Sequence, residues 1–596
     1  NRDVEVRKSH IAKIAGVVVV ICAVFVVLNP DSPWKPQETT TIRTVDKGSS
    51  QSPASQESPT PNAARSTTIR FANVTPDSGI EFTYYGSPSP EHYMTEQNGG
   101  GIAVFDYDAD GVVDLFFSNG SHFKNLAGIH EASNEMYRAT AAFQYDSVTT
   151  KARLRAAGFG QGAAAADFDN DGFTDLFVSY FGRNRLYRNN GDGTFTDITE
   201  ISGVGDDRWA TSAAFADLNG DGALDLYVVN YVDWNPNAEP CFLDSQKQRR
   251  KVCSPLDFNG QPDLLLRSNQ DGTFSPAESF QETSNNDVGK GLAVAIIDLN
   301  ADSMLDVFVA NDTMRNFLYI NKGDFSFIDT AIQNGVAFSQ DGALGSSMGV
   351  ACGDYDRNLL PDLFVTNFAH EVVDAITNLG PIGFATNNSE LGLDGPSRAM
   401  LNFGIVLSDF DLDQWPDLFL ANGHLWDSGP GGDEYRMRPN VFRNDAGSRF
   451  LDVADRAGPY FVERWLGRST ASGDLDNDGD TDLVVSHLTA PPALLQNNSQ
   501  RNGQSLQITF VGTKSCRQPL GCGVEIEIDN RTTLAAHIPS GESFQASHDS
   551  RLLVSTGNAT KIERVSIHWP AGPTESWHQL PSEGTLTLIE GTGEAE

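Results

Sequence analysis

The chain has 596 residues, with 42 Lys and Arg against 79 Asp and Glu and a formal net charge of −37. That length predicts more than one folded domain, and that charge would repel a phosphate backbone, which excludes nucleic acid as a partner. With 39% hydrophobic residues the acidity is no signature of disorder, and 55 glycines with only 20% charged residues point to tight turns and short strands, an all-β protein.

At the N-terminus, Arg2, Arg7, Lys8 and Lys13 flank an uncharged run from Ile14 to Leu28. With Ile11, Ala12 and a snorkelling Lys13 the run is long enough to span a bilayer. Residues 1–28 therefore read as a cytoplasmic flank and a transmembrane helix acting as a signal anchor, with the bulk of the chain outside the cytoplasm, in a periplasm or on a cell surface. Cleavage after the apolar run would instead leave a secreted protein, but Asn29-Pro30-Asp31 offers no small-x-small pair. Residues 29–68, rich in Ser, Thr, Pro and Gln, read as a disordered stalk.

An acidic nine-residue loop then recurs seven times. Its positions 1, 3, 5 and 9 are Asp106, Asp108, Asp110 and Asp114; Asp167, Asp169, Asp171 and Asp175; Asp217, Asn219, Asp221 and Asp225; Asp298, Asn300, Asp302 and Asp306; Asp354, Asp356, Asn358 and Asp362; Asp409, Asp411, Asp413 and Asp417; Asp474, Asp476, Asp478 and Asp482. Alternate carboxylates on a tight loop aim oxygens at one centre, the arrangement Ca²⁺ needs, and a backbone carbonyl at position 7 would complete it. An EF-hand needs Glu at position 12, where these loops carry Phe117, Val178, Val228, Val309, Val365, Leu420 and Val485. The metals are read as structural staples, because seven regularly spaced sites suit a repeat rather than seven active centres. Gly111, Gly172, Gly222 and Gly479 at position 6 permit a left-handed turn, whereas Ser303, Leu359 and Gln414 do not favour one. The first, second and seventh loops accordingly rank strongest and the fourth and fifth weakest.

The loops start 61, 50, 81, 56, 55 and 65 residues apart, room for four strands each. The second copy shows the unit: GAAAADF, the loop, DLFVSYF, NRLYRNN and TFTDIT. Residues 69–498 are thus read as a seven-bladed β-propeller. The seventh copy lacks a fourth strand, and Phe71–Thr75 matches Phe195–Thr199, so the N-terminal segment is expected to complete the last blade and close the ring. Cys241 with Cys253, and Cys516 with Cys522, bracket short loops and are read as two disulfides of an oxidising compartment. Cys352 reads as a buried strand residue without a partner. Residues 503–596 contain LQITFVG, VEIEID, VSIHWPAG and LTLIE, alternating strands of a separate small β-sandwich-like domain.

The loops resemble the FG-GAP, or VCBS-type, repeats of integrin α-subunit propellers, and VSIHWPAG with GTKSCRQPLGCGVEIEI and PSGESFQASHDS resembles the ASPIC/UnbV domain. A segment expected as GLG before the WPAG strand reads VSTGNA here, and the two cysteines near 516 are atypical. The resemblance implies an extracytoplasmic calcium-dependent binding protein and names no ligand.

Gly345-Ser346-Ser347-Met348-Gly349 has the form of a serine-hydrolase motif, but it leads into VACGDYD, an inner strand, rather than into a helix. His424 and His568 read as packed or surface residues. The expected function is adhesion or ligand binding, with an extracellular protein or carbohydrate as partner and the membrane as anchor. A propeller lyase or hydrolase acting on polysaccharide is the competing reading. The segments 120–158, 231–261 and 423–440 are the candidate recognition insertions, although the first reads alternatively as a blade edge, because Met136-Tyr137-Arg138 and Phe143 fall where the third and fourth strands should be.

Overall fold

The computed structural model describes residues 69–85, 89–121, 133–280, 288–429, 431–529 and 532–595. The expected membrane segment and stalk lie outside the described residues, and among the latter no helix is long and apolar enough to cross a membrane.

Each acidic loop does what its flanking residues dictate. The run before it is rich in small or β-branched residues and forms an innermost strand; its ninth residue opens a second, wholly buried strand such as Asp225–Asn230. The second copy gives strands Phe159–Ala166, Asp175–Phe181, Arg185–Asn189 and Phe195–Asp197, paired antiparallel in that order. All seven copies build such a four-stranded unit. The innermost strands, Ile102–Phe105, Phe159–Ala166, Ala210–Ala216, Gly291–Ile297, Val350–Gly353, Asn402–Ser408 and Gly467–Gly473, each adjoin the next, and the last adjoins the first. Crowding about this axis selects small residues. A Cβ on Gly162 would lie 2.5 Å from the Thr211 carbonyl oxygen.

Closure follows the expectation: Phe71–Asn73 is the outer strand of the seventh sheet, with Phe71 opposite Asn497 and Asn73 opposite Leu495. Apolar clusters fill the spaces between successive sheets. Between the fifth and sixth, Phe364 and Phe450 meet edge to face at 5.4 Å between centroids. The first sheet takes its third and fourth strands, Glu135–Ala141 and Gln144–Ser147, from the segment 120–158, as the blade-edge alternative expects.

The C-terminal region has two sheets, a three-stranded one centred on Gln504–Val511 and a five-stranded one that includes Gly523–Asp529 and Lys561–His568. It packs directly against the ring. Residues 66–596 form one compact unit, and Phe510, Trp569 and Ile526 share a core with Phe168, Phe215 and Leu266 of the second and third sheets. Residues 539–549 run into the ring's central channel. Ala546–Ser547 pairs in parallel with Ile102 and Ala103, the Glu542 N–H donates to the Val294 carbonyl at 2.7 Å and the Ile405 N–H to Ser543 Oγ at 3.1 Å. Ser540 Oγ donates to the Phe215 carbonyl, the Ala165 N–H to Ser547 Oγ, the Cys352 N–H to Glu542 and the Asp549 N–H to the Ser472 carbonyl. All seven innermost strands therefore touch this one segment. It needs Gly541, whose φ is +76° and where a Cβ would lie 2.3 Å from the Val294 oxygen.

Candidate metal centres

The seven loops share one backbone. Position 6 is left-handed in all of them: Gly111, Gly172, Gly222 and Gly479 have φ between 85° and 97°, and Ser303, Leu359 and Gln414 adopt 69°, 68° and 72° without glycine's freedom. Position 4 is left-handed as well, from Leu412 at 54° to Gly220 at 70°. Aspartate at position 1 holds this turn by accepting the N–H groups of positions 5 and 6, as Asp474 does from Asp478 and Gly479 at 3.0 Å each. Position 5 accepts the N–H of position 7, as Asp171 does from Phe173 at 2.9 Å. Position 9 accepts the N–H of position 2 with one oxygen and an N–H of the third strand with the other: Asp417 takes Phe410 at 3.1 Å and Asn444 at 2.8 Å.

What remains converges. One carboxylate oxygen from each of positions 1, 3 and 9 lies within 4.8 Å of the others in five loops: Asp106, Asp108 and Asp114; Asp167, Asp169 and Asp175; Asp354, Asp356 and Asp362; Asp409, Asp411 and Asp417; Asp474, Asp476 and Asp482. In the third and fourth loops Asn219 and Asn300 stand at position 3 and donate to Asp221 and Asp302 at 2.8 and 3.1 Å. In the fifth loop, Asn358 Oδ1 accepts from the Leu360 N–H at 2.8 Å, as aspartate does at the equivalent position elsewhere.

Burial, reinforced by neighbouring carboxylates, pushes these acids up: Asp114, Asp225 and Asp362 to about 8, Asp175 to about 9, Asp167 to about 7, and Asp417 and Asp482 well above the carboxylate range. One oxygen of each of Asp108, Asp167 and Asp476 is buried without a hydrogen-bond partner. Orphaned carboxylate oxygens facing one another are a donor set for a hard divalent cation, whose charge would reverse the shifts. The residues fit Ca²⁺. Bound there, the ion would offset two of the triad's three negative charges and tie the start of the second strand to the turn before it. Guanidinium groups already stand beside several loops. Arg138 reaches Asp108 and Asp110 at 2.5 and 2.9 Å in the first loop, and Arg501 reaches Asp478 and Asp480 at 2.7 and 2.9 Å in the seventh.

Of the two cysteine pairs, Cys241 and Cys253 are bonded, 5.2 Å apart at Cα, across the hairpin Cys241–Phe242 and Arg250–Lys251. Cys516 and Cys522 correct the sequence reading: both are free, buried thiols in the core around Trp569, and burial raises both pKa values. Cysteines bracketing a short loop leave side-chain direction open, and here both pack as small apolar groups. Cys352 is free and buried. Ser347 Oγ hydrogen-bonds Asn367 at 3.3 Å, and the strand Val350–Gly353 follows. His424 is buried, with Nδ1 3.1 Å from the Trp426 carbonyl, and His568 Nδ1 lies 3.1 Å from Thr574 Oγ1.

Sequence reasoning missed the asparagine that ends the third strand of five sheets. Asn189, Asn321, Asn378, Asn444 and Asn497 each donate to the position-2 carbonyl of the preceding sheet's loop, namely Tyr107, Leu218, Leu299, Tyr355 and Phe410, at 2.7 to 3.0 Å. Each also donates to position 8 of its own loop. The signal was present as an Asn in RNN, INK, TNL, RND and QNN, and its target is visible only in space. The C-terminal region covers the acidic-loop face: the Arg517 N–H donates to Asn170 at 2.7 Å, the Asn502 N–H to the Asp411 carbonyl at 2.8 Å, and Arg551 reaches the carbonyls of Gly111 and Asp474.

A family model described as FG-GAP-like repeat matches residues 131–228 and 298–365, and one described as ASPIC and UnbV matches residues 512–595. Human cartilage acidic protein 1 is 23% identical over 423 residues, covering 68% of this chain and 59% of that protein. Its Xenopus tropicalis counterpart is 30% identical over 204 residues, covering 33% of this chain and 29% of that protein. The chain thus spans less than two thirds of the length of these relatives. Among solved structures, the BP39L lectin of Burkholderia pseudomallei is 11% identical at a TM-score of 0.41, covering 68% of this chain and 96% of that one. The β-propeller domain of Cps50 (Swd1) from Myceliophteria thermophila is 11% identical at a TM-score of 0.37, covering 67% and 96%.

Proposed function

We propose that this chain, a propeller of FG-GAP-like repeats joined to an ASPIC and UnbV domain, is a calcium-stapled seven-bladed scaffold held outside the cytoplasm to bind an extracellular protein or carbohydrate. The observation that carries this reading is the inequality of the ring's two faces. The acidic loops lie on one face, beneath the C-terminal region, where cations would act as staples rather than as substrate-facing centres. The insertions 231–261 and 423–440 leave from the opposite ends of the strands, where Tyr231, Trp234, Val252, Leu425 and Trp426 gather in one apolar cluster. Rigid sheets beneath variable loops are the usual platform for recognition. The Cys241–Cys253 bond supports an oxidising compartment, and the basic flank and apolar run before Leu28 support a single-pass anchor with a cytoplasmic N-terminus. The motif around Ser347 leads into a strand, which favours binding over hydrolysis.

Calcium titration of the full chain tests the scaffold. Several bound ions per chain, with a higher melting temperature that chelation reverses, are expected; a protein that binds no Ca²⁺ refutes the staples at every loop. Turnover on a polysaccharide panel in Ca²⁺ tests the binding reading, and release of product would replace it with the lyase or hydrolase.

A further inference from the structure

At the mouth opposite the acidic loops lies a cavity of about 220 Å³, lined by Tyr231, Phe368, Phe403, Trp426, Gln97 and Asp312 among others. It is larger than the roughly 150 Å³ cavity that accommodates a benzene ring. Its floor reaches the channel plug, because Phe544 packs edge to face on Phe403 at 5.0 Å between centroids. The rim is built by the disulfide-closed insertion through Lys251 to Pro255 and by the 423–440 insertion through Leu425 and Trp426.

Gln97 is the telling residue. It is fully buried, its backbone is fixed by the Gln97 N–H donating to Met94 at 3.2 Å and by Arg468 Nε donating to its carbonyl at 2.7 Å, yet both Nε2 and Oε1 of its side chain have no hydrogen-bond partner. Thr313 Oγ1, also on the cavity wall, is buried and unpartnered too. Buried amides without partners are rare, and a bound group supplying both an acceptor and a donor would satisfy this one. The wall carries one charge of each sign, so it offers no net attraction to a simple cation or anion. Lys251 offsets Asp312, and the Asp312 carboxylate is already engaged by the Tyr231 hydroxyl at 2.6 Å.

We propose that this mouth is a binding site for one neutral sugar ring at the end of a glycan, with the Gln97 amide and Thr313 hydroxyl bonding its hydroxyls and an aromatic side chain facing its C–H surface. A sugar ring offers paired donor–acceptor hydroxyls at its edge and an apolar face, and the wall presents the complement of both. This inference rests on the ligand-binding reading of the protein and names the class of ligand.

The test uses the full chain in Ca²⁺, with saturation-transfer NMR and calorimetric titration of methyl glycosides of a neutral hexose, a 6-deoxyhexose and an N-acetylhexosamine, and with choline and sialic acid as charged comparators. At least one neutral glycoside is expected to bind. Gln97→Leu should weaken it at least tenfold while leaving the melting temperature unchanged or higher, since the substitution removes two unpartnered polar atoms. Trp426→Ala, at a partly buried position, should weaken it similarly should Gln97→Leu fail to fold. Failure of every neutral glycoside, unchanged affinity in both variants, or preference for choline or sialic acid would each overturn the proposal. Capture of an extracellular protein by a chain that ignores all glycosides would overturn it while leaving the broader binding function standing.

Discussion

Asn444 ties the sixth sheet to the fifth. Its side chain is fully buried, donates to the Tyr355 and Pro416 carbonyls at 3.0 Å each, and accepts from the Gly447 N–H at 2.8 Å. Asn444→Ala removes three bonds and strips two buried carbonyls of a donor. At about 0.5–1.5 kcal/mol net per bond, with an added penalty where a buried group is left unpaired, the loss should be roughly 2–4 kcal/mol. Asn444→Asp keeps the shape and the acceptor for Gly447 but aims an oxygen at the two carbonyls, so it should be more damaging than alanine despite the smaller change in volume. Denaturant unfolding of both variants in saturating Ca²⁺ gives the ranking, and hydrogen exchange should open first at the seam between these two sheets. An aspartate variant as mild as alanine, or an alanine variant costing under about 1 kcal/mol, would refute the inter-sheet tie as an energetic feature.

In chelator, stability should fall as pH rises from about 4 to about 8. Asp114, Asp225 and Asp362, lifted to about 8 by burial, bind more protons folded than unfolded across that window, and unfolding then becomes easier with rising pH by up to about 1.4 kcal/mol per unit for each such group. Saturating Ca²⁺ should abolish the slope, and melting curves at several pH values with and without the ion check it. Gly541→Ala should loosen the channel plug, since φ is +76° and the new Cβ would lie 2.3 Å from the Val294 oxygen; a lower melting temperature and faster proteolysis within 539–549 are expected. Cys241→Ser opens a bond across a separation of 12 residues, which should cost about 2–3 kcal/mol locally and appear as faster cleavage within 241–253. Ser268→Asn would supply the third sheet with the tie its neighbours have, and should raise the denaturation midpoint slightly.

The seven acidic loops were legible in the chain because their chemistry is local: nine residues contain the turn, its left-handed sixth residue and the alternating carboxylates. The Phe71 strand could be placed in the last sheet because its sequence repeats that of Phe195 and the seventh copy lacked one. The Cys241–Cys253 bond was legible too, closing a short polar stretch that lacks an apolar pattern of its own. The same reasoning failed for Cys516 and Cys522, whose spacing allowed a bond but whose side chains both turn into the core around Trp569.

What tertiary structure alone decided lies at long range. Asn444 and Tyr355 are 89 residues apart, and nothing local marks the carbonyl that the amide will meet. The segment 539–549 is mostly polar in sequence, and only the closed ring turns it into a plug touching all seven inner strands and packing the C-terminal region onto the ring. Gln97 and Trp426 come together because the ring brings distant connections to one mouth. Backbone conformation and ligand spacing are set within a few residues, so sequence determines them; the partner of a buried polar group is set by how the sheets close around it, and that only the assembled fold determines.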